Sequence, residues 1–401
     1  MPDLVKVKLG VVSEDTLLLN LLFGAIPALI AMVFGPMLGS WSDRTRTRFG
    51  RRIPFLLVCI PFLYVSILGI AYSESIGDAV WLWSGRRESD RHACIVACLC
   101  ACWILYEVFT VSTNALWLAL INDTVPRRMI GRFFGMFRII SLSVGAIFFY
   151  AIFIDEMQSA TRTVLVTIAT LHALGFLVVC FVVKEPPCDP PVPSPRRHLL
   201  SAYRPGETLD RSHLQLFFAL AIGTVCVLPV NINSIAALPQ FDVDHTSYGR
   251  AIAIAYSISI VLALPIGWLA DKLHPLRVGY GVLILYAVCM LAAFSFVGSR
   301  MSFLVWLVVH SVLAGAFLTG TASLLPAVLA HQHFSELAAI SASVTALMTV
   351  IFTMTLAGIL VRNGHNFRFI FLASGLAATV GAISWHRLWS AHRLRKTIPE
   401  G

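Results

Sequence analysis

Eleven stretches with almost no charge, each long enough to cross a bilayer, recur along this chain and leave it little choice of fold. They cover residues 17–38, 53–72, 93–122, 131–154, 163–183, 214–241, 251–270, 278–299, 301–330, 337–361 and 369–385. A helix needs about 17–25 residues to span the hydrocarbon core. Backbone polar groups in lipid have to be satisfied within the segment, so these stretches predict helices and not strands. Composition agrees: 58% of residues are hydrophobic and mean hydropathy is +0.80, where soluble domains hold about 45–50% apolar residues. The third stretch is interrupted by Glu107, and the fourth carries Arg132 and Arg138 in its first turns. The expected class is an all-α polytopic membrane protein embedded in a lipid bilayer.

Charge sets the sidedness. Residues 43–52 hold five arginines and one aspartate in a chain with 13% charged residues. Short Arg-rich loops stay cytoplasmic. If this loop is inside, alternation of the spans places twenty of the thirty basic residues in the cytoplasm and predicts a cytoplasmic carboxyl end. The net charge of +9 is therefore a topology signal, and nucleic acid is excluded as a partner.

The nine cysteines do not form a disulfide framework. Cys94, Cys98, Cys100 and Cys102 sit in an apolar helix with no His or acid among them, where thiolates and a metal are disfavoured. They read as small packing residues, and no cofactor or metal is expected. Residues 1–15 lack the apolar core and cleavage site of a signal peptide and read as an exterior loop.

The longest polar interruption, residues 184–212, contains Pro186, Pro187, Pro190, Pro191, Pro193 and Pro195, a linker composition. It separates a half over 1–183, with five spans, from a half over 213–401, with six. An internal repeat supports two related halves. Gly39-Ser40-Trp41-Ser42-Asp43-Arg44 and Gly267-Trp268-Leu269-Ala270-Asp271-Lys272 both read Gly-x-x-x-Asp-basic at the cytoplasmic end of a span. If both spans are the second of their half, the first half lacks its helix one, and the visible helices are two to six and seven to twelve. Six plus six is the architecture of the major facilitator superfamily.

The loops make that resemblance specific. Gly-x-x-x-Asp-Arg is similar to the signature loop of that superfamily. The string from Ser42 through Arg44, Arg46, Arg48, Gly50, Arg51 and Arg52 to Pro54 resembles the version in glycoside–pentoside–hexuronide cation symporters and sucrose–proton symporters. Ala119-Leu120-Ile121-Asn122-Asp123-Thr124-Val125-Pro126, followed by Gly131-Arg132-Phe133-Phe134-Gly135, resembles the matching loop of the same group. The resemblance implies secondary active transport, with proton-coupled uptake of a sugar or glycoside by alternating access. Sodium-coupled members carry aspartates on helix two, whereas residues 17–38 offer only Asn20 as a strongly polar side chain. A helix ending near Ser40 would place Asp43 among the loop arginines as a latch that holds one conformer. Gly39, Asp43, Arg44, Arg51, Arg52, Asp123, Arg132, Gly267, Asp271 and Lys272 are the expected gating residues. A plain topology anchor is the alternative.

Glu107 is the acid well inside a span, and such residues mark function by default. Its helical neighbours Trp103, Thr110 and Asn114, with adjacent Tyr106, offer carboxylate, hydroxyl, amide and aromatic faces on one stripe, which suits a polyol. The alternative is a buried glutamate paired with another helix for packing. Arg138, about two turns into its span, is either Glu107's partner, a solute donor, or a side chain snorkelling to the cytoplasmic surface. His310 lies near mid-membrane and is a candidate for proton coupling alongside Glu107, with packing as its rival role. His172 is a weaker candidate of the same kind. Asn231 and Asn233, beside Pro229, are expected to line the opposite wall of the solute site. The partners expected are a small-molecule solute, a sugar by resemblance, and a proton; the protein is expected to be a monomer in a bacterial inner membrane. Rival functions are an exporter of drugs or metabolites and a non-transporting sensor. A membrane enzyme is disfavoured, since no catalytic cluster is visible.

Overall fold

The structure, a computed structural model, describes residues 16–45, 47–84, 91–126, 130–152, 157–185, 211–329 and 334–397. The expected exterior loop (1–15) and most of the linker (186–210) lie outside the described residues, as do the side chains of Gly39, Asp43, Arg44 and Arg132. Among the described residues there is no strand beyond one isolated bridge, Thr47 to Gly50. Among the described residues ten helices are long and apolar enough to cross a membrane, and Leu21–Phe34 is a shorter apolar helical segment. The chain is an all-α, multi-pass integral membrane protein.

Two compact units form. The first takes the described residues of Ile26–Val125 and Glu156–Arg204. It contains α2 (Ile26–Arg44), α3 (Ile53–Ala71), α4 (Ser73–Trp83), α5 (Arg91–Thr124) and α7 (Met157–Val182). Its core is apolar and continuous: Ile53, Leu56 and Ile60 of α3 pack with Leu116 and Leu120 of α5 and Cys180 of α7. Phe62 of α3 stacks on Phe109 of α5, ring centroids 4.6 Å apart. With 34 residues, α5 is about 50 Å long, more than a bilayer needs. Its first turns carry α4 alongside, where Gly77 lets Ile95 approach so closely that a Cβ would meet the Ile95 backbone at 2.6 Å.

The second unit takes the described residues of Val12–Ala25, Pro126–Asp155 and Pro205–Gly401. It contains α1 (Thr16–Asn20) with the π-turn Leu21–Ala25 that follows it, and α6 (Ile130–Ile147). From the later sequence come α8 (Arg211–Val225), α9 (Leu228–Asn233), α10 (His245–Leu273), α11 (Pro275–Phe296), α12 (Arg300–Thr321), α13 (Leu324–Val328), α14 (Phe334–Arg362) and α15 (Arg368–Thr397). Within it α11 lies against α12 and α15, α8 against α14 and α15, and α10 against α12 and α6. Trp385 anchors this packing: it is fully buried, donates Nε1–H to the Ala219 carbonyl at 2.8 Å and stands edge-on to Phe317.

Local chemistry starts and stops several of these helices. Asp244 caps α10 by accepting the Ser247 amide at 2.8 Å, and Ser299 with Ser302 forms a capping box on α12. Residues 214–241 read as one span, but the helix breaks at Cys226–Val227, ahead of Pro229 in the first turn of α9. Proline has no N–H to continue the ladder, so the helix restarts there.

Candidate functional site

In the first unit the polar stripe of α5 is half-open. Glu107 sits at the middle of the helix, half-buried, with no hydrogen bond or ion pair among the described residues. Trp103, one turn before it, is 1% exposed and packs its ring 5.2 Å from that of Tyr106. The Thr110 hydroxyl is buried beside the Tyr106 hydroxyl, whereas Asn114 is exposed. A carboxyl, two hydroxyls and an amide therefore line one face, flanked by aromatic rings. A buried polar group left unpaired costs about 1–3 kcal/mol, so such a stripe is expected to meet a ligand or water.

In the second unit Arg138 of α6 shares its surroundings with Tyr256 and Ser259 of α10 and Gly315 of α12. Its Nε is buried without a hydrogen bond, and so is the Ser259 hydroxyl. Both groups converge on Gly315: a Cβ added there would lie 3.3 Å from Ser259 Oγ and 3.5 Å from Arg138 Nη2. No ion pair to Arg138 occurs among the described residues.

The same unit holds the other candidate polar residues, and it sorts them into two sets. His310 is fully buried on α12, with Nδ1 2.8 Å from the Tyr286 hydroxyl of α11 and Nε2 3.0 Å from Asn231 Oδ1 of α9. Asn231 is exposed. Asn233, two residues on, is fully buried: it accepts a hydrogen bond from Asn20 Nδ2 at 2.9 Å and donates Nδ2–H to the Pro229 carbonyl at 3.0 Å. The Asn20–Asn233 pair thus ties α1 to α9 within the unit. His172 lies on α7 in the first unit, tilted against Phe176 with ring centroids 4.7 Å apart.

At the arginine-rich loop, α2 continues to Arg44 instead of ending near Ser40, because nothing in Trp41-Ser42-Asp43-Arg44 interrupts helical hydrogen bonding. Asp43 and Arg44 therefore occupy its last turn. The visible ionic cluster is built further on. Asp123, at the end of α5, accepts Arg51 Nη2–H at 2.6 Å and Nε–H at 3.1 Å, and Arg52 Nε–H at 3.3 Å. Arg52, 3% exposed, also donates to the Ser42 hydroxyl.

Glu185, just after α7, completes the cluster. Its carboxylate accepts the backbone N–H groups of Arg51 and Arg52, each at 2.8 Å, and of Ile53 at 2.9 Å, capping α3. That approach is possible because residue 50 is glycine: its φ is +107°, and a Cβ would lie 2.5 Å from the Glu185 carboxyl carbon. Sequence reasoning missed Glu185; the available signal was an acid at the end of a span, which alternation of the spans puts on the same side as the arginine loop. At the repeat in the second unit, Asp271 and Lys272 are exposed, Lys272 lies over the Trp268 ring at 4.8 Å, and a Cβ at Gly267 would meet nothing within 4 Å.

Residues 17–361 match the family described as MFS/sugar transport protein. The chain belongs to this family. Curated relatives are similar over short segments: the Arabidopsis thaliana sucrose transport protein SUC4 is 29% identical over 29% of this chain, and the human proton-associated sugar transporter A is 39% identical over 14% of it. The matched segments span 22% and 9% of the lengths of those proteins. Among solved structures, a D-xylose–proton symporter superposes with a TM-score of 0.65 over 93% of this chain and 88% of its own, at 16% identity. A bacterial homologue of the iron transporter ferroportin, in its outward-facing state, gives 0.63 over 91% and 89%, also at 16% identity. At such identities the likeness establishes the fold. Family and fold are those of membrane transporters.

Proposed function

We propose that the protein is a secondary active transporter that takes up a sugar or glycoside together with a proton, by alternating access. The observation that carries this reading is Glu107: an acid at the middle of a membrane helix, without hydrogen bond or ion pair among the described residues, beside Tyr106, Thr110 and Asn114. A charged side chain at that depth costs about 2.5–3.5 kcal/mol on insertion scales, which packing alone does not offset. A carboxyl there serves a solute hydroxyl, a proton, or both in turn. The family description and the short stretches similar to sugar transporters support sugar as the solute class.

In this reading Glu107 carries the coupling proton, with Tyr106 as the aromatic face beside it and Trp103 buried behind that ring. Within the second unit, Arg138 and Asn231 are the candidate donors to solute oxygens. Asn233 and His310 hold the surrounding helices and side chains in place. Gly39, Asp43, Arg44 and Arg132 belong to the gating loops together with the Arg51–Arg52–Asp123 cluster, and Gly267, Asp271 and Lys272 form the looser counterpart. A bacterial inner membrane and a monomeric state complete the proposal.

The test is uptake by the purified protein in liposomes, with radiolabelled sucrose, D-xylose and a panel of disaccharides, with and without an inward proton gradient. Gradient-dependent accumulation of one sugar supports the reading. Solute movement only out of the protein's cytoplasmic side would replace it with export, and binding without flux would make the protein a sensor.

A further inference from the structure

Asn231 stands out in the second unit. From Val225 to Leu238 it is the one exposed residue, and its immediate neighbours Val230, Ile232 and Asn233 are buried. It follows the break at Cys226–Val227, and helix breaks within a membrane are tolerated where the backbone is buried in protein, as it is there, or lines a cavity. A polar carboxamide is costly to expose to hydrocarbon, so an exposed Asn231 on a membrane helix suits a face that meets water or solute.

The buried side is fixed. His310 Nε2 meets Asn231 Oδ1 at 3.0 Å, and the Tyr286 hydroxyl meets His310 Nδ1 at 2.8 Å. A carboxamide oxygen only accepts, so Nε2 carries the hydrogen; Nδ1 is then the bare nitrogen, and the tyrosine hydroxyl donates to it. The hydroxyl has one hydrogen and two acceptors in reach, and the bare Nδ1 at 2.8 Å takes it ahead of the Cys226 carbonyl at 3.5 Å. With Oδ1 held from behind by Nε2–H, the Asn231 amide plane is set, and its Nδ2–H2 group is turned to a fixed direction. No carboxylate among the described residues forms an ion pair with His310.

We propose that Tyr286 and His310 are positioning residues that orient the Asn231 carboxamide as a hydrogen-bond donor to a hydroxyl or ring oxygen of the transported sugar. This rests on the sugar-transport reading above, and it assigns His310 to solute recognition instead of proton coupling. The chemistry distinguishes the two roles. The side-chain amide of glutamine places an Nε2–H where imidazole has one, so His310→Gln preserves the bond to Asn231 while removing any proton cycling.

The experiment has two arms. In liposomes, His310→Leu and Asn231→Ala are expected to raise the KM for the sugar accumulated by the wild type about tenfold with little change in maximal rate, Tyr286→Phe about threefold, and His310→Gln to restore near-wild-type KM and uphill accumulation. Loss of accumulation in His310→Gln with KM intact, or an unchanged KM in well-folded Asn231→Ala, would overturn the assignment. The second arm needs no solute. In protein labelled with 15N-histidine, the signals missing from His310→Gln belong to His310; at pH 7 they are expected to show one protonated and one bare nitrogen, and Tyr286→Phe is expected to turn them into a tautomer mixture. A doubly protonated ring or an Nδ1–H tautomer in the wild type would refute the positioning. If no sugar in the panel moves, the transport reading fails by itself, and the nitrogen spectrum still decides the geometry.

Discussion

Replacing Asp123 by Asn tests whether the charge cluster beneath the first unit holds its helices together. Asp123 receives three guanidinium N–H groups, two from Arg51 and one from Arg52, at 2.6, 3.1 and 3.3 Å. The aspartate is 13% exposed and Arg52 3%, so Arg52 has little water to turn to when the carboxylate is neutralised. Breaking a fully buried pair from one side costs about 3–5 kcal/mol. Arg51, at 20%, can resolvate in part, and Glu185 leaves negative charge nearby, which discounts the loss to about 2–3 kcal/mol. In detergent this should lower the thermal midpoint by roughly 5 °C or more. Most of the cost is the orphaned Arg52 charge, so adding Arg52→Met to Asp123→Asn should recover part of the loss. A double-mutant cycle of melting midpoints measures the coupling. An unchanged midpoint in Asp123→Asn, or strictly additive losses in the double variant, would show that the cluster is too hydrated to matter.

Three further outcomes follow from other parts of the molecule. Glu107→Gln should abolish uphill sugar accumulation while leaving sugar exchange, as the amide keeps most hydrogen bonds but cannot cycle a proton; normal gradient-driven uptake would remove Glu107 from the site. Asp43→Asn should insert normally yet slow transport, through loss of about 1–3 kcal/mol of preference for one conformer, and wild-type flux from folded protein would leave the loop a mere topology anchor. At the head of α10, burial alone would raise the Asp244 carboxyl, but the Ser247 amide and hydroxyl, with Arg300, hold it below its usual range. A carboxyl depressed in the folded state stabilises above its unfolded value and loses that contribution as pH falls through the folded one. The contribution of the Asp244 cap should thus fade only below about pH 4. Asp244→Asn should flatten that limb of a melting-versus-pH curve, and an identical limb in both proteins would refute the contribution.

The spans were legible because lipid demands about twenty apolar residues regardless of partners, and so was the arginine loop, whose charge density has no other use in such a chain. Glu185 was not: Lys184-Glu185-Pro186-Pro187 reads as the start of a linker, and only the fold brings it to Gly50 and the first turn of α3. The break at Cys226–Val227 was hidden in a continuous apolar run, since Pro229 can either kink a helix or restart one. That ambiguity also made Asn231 and Asn233 look alike, although two residues of helix separate the exposed amide from the buried one. Helical spacing puts Trp103, Glu107, Thr110 and Asn114 on one stripe, but it does not distinguish Trp103, sealed in packing, from Asn114, which is open.

The tie between Asn20 and Asn233 has a consequence for energy conversion. Two carboxamides exchange hydrogen bonds without net charge, at 2.9 and 3.4 Å. Neither group titrates across the biological range, and neither moves charge through the membrane field when it parts. The strength of this clasp is therefore the same in acid or alkali, in low or high salt, and at any membrane potential. A driving force that acts through protons, salt or membrane potential would have to enter elsewhere, and the contact between α1 and α9 is a threshold that none of these alters.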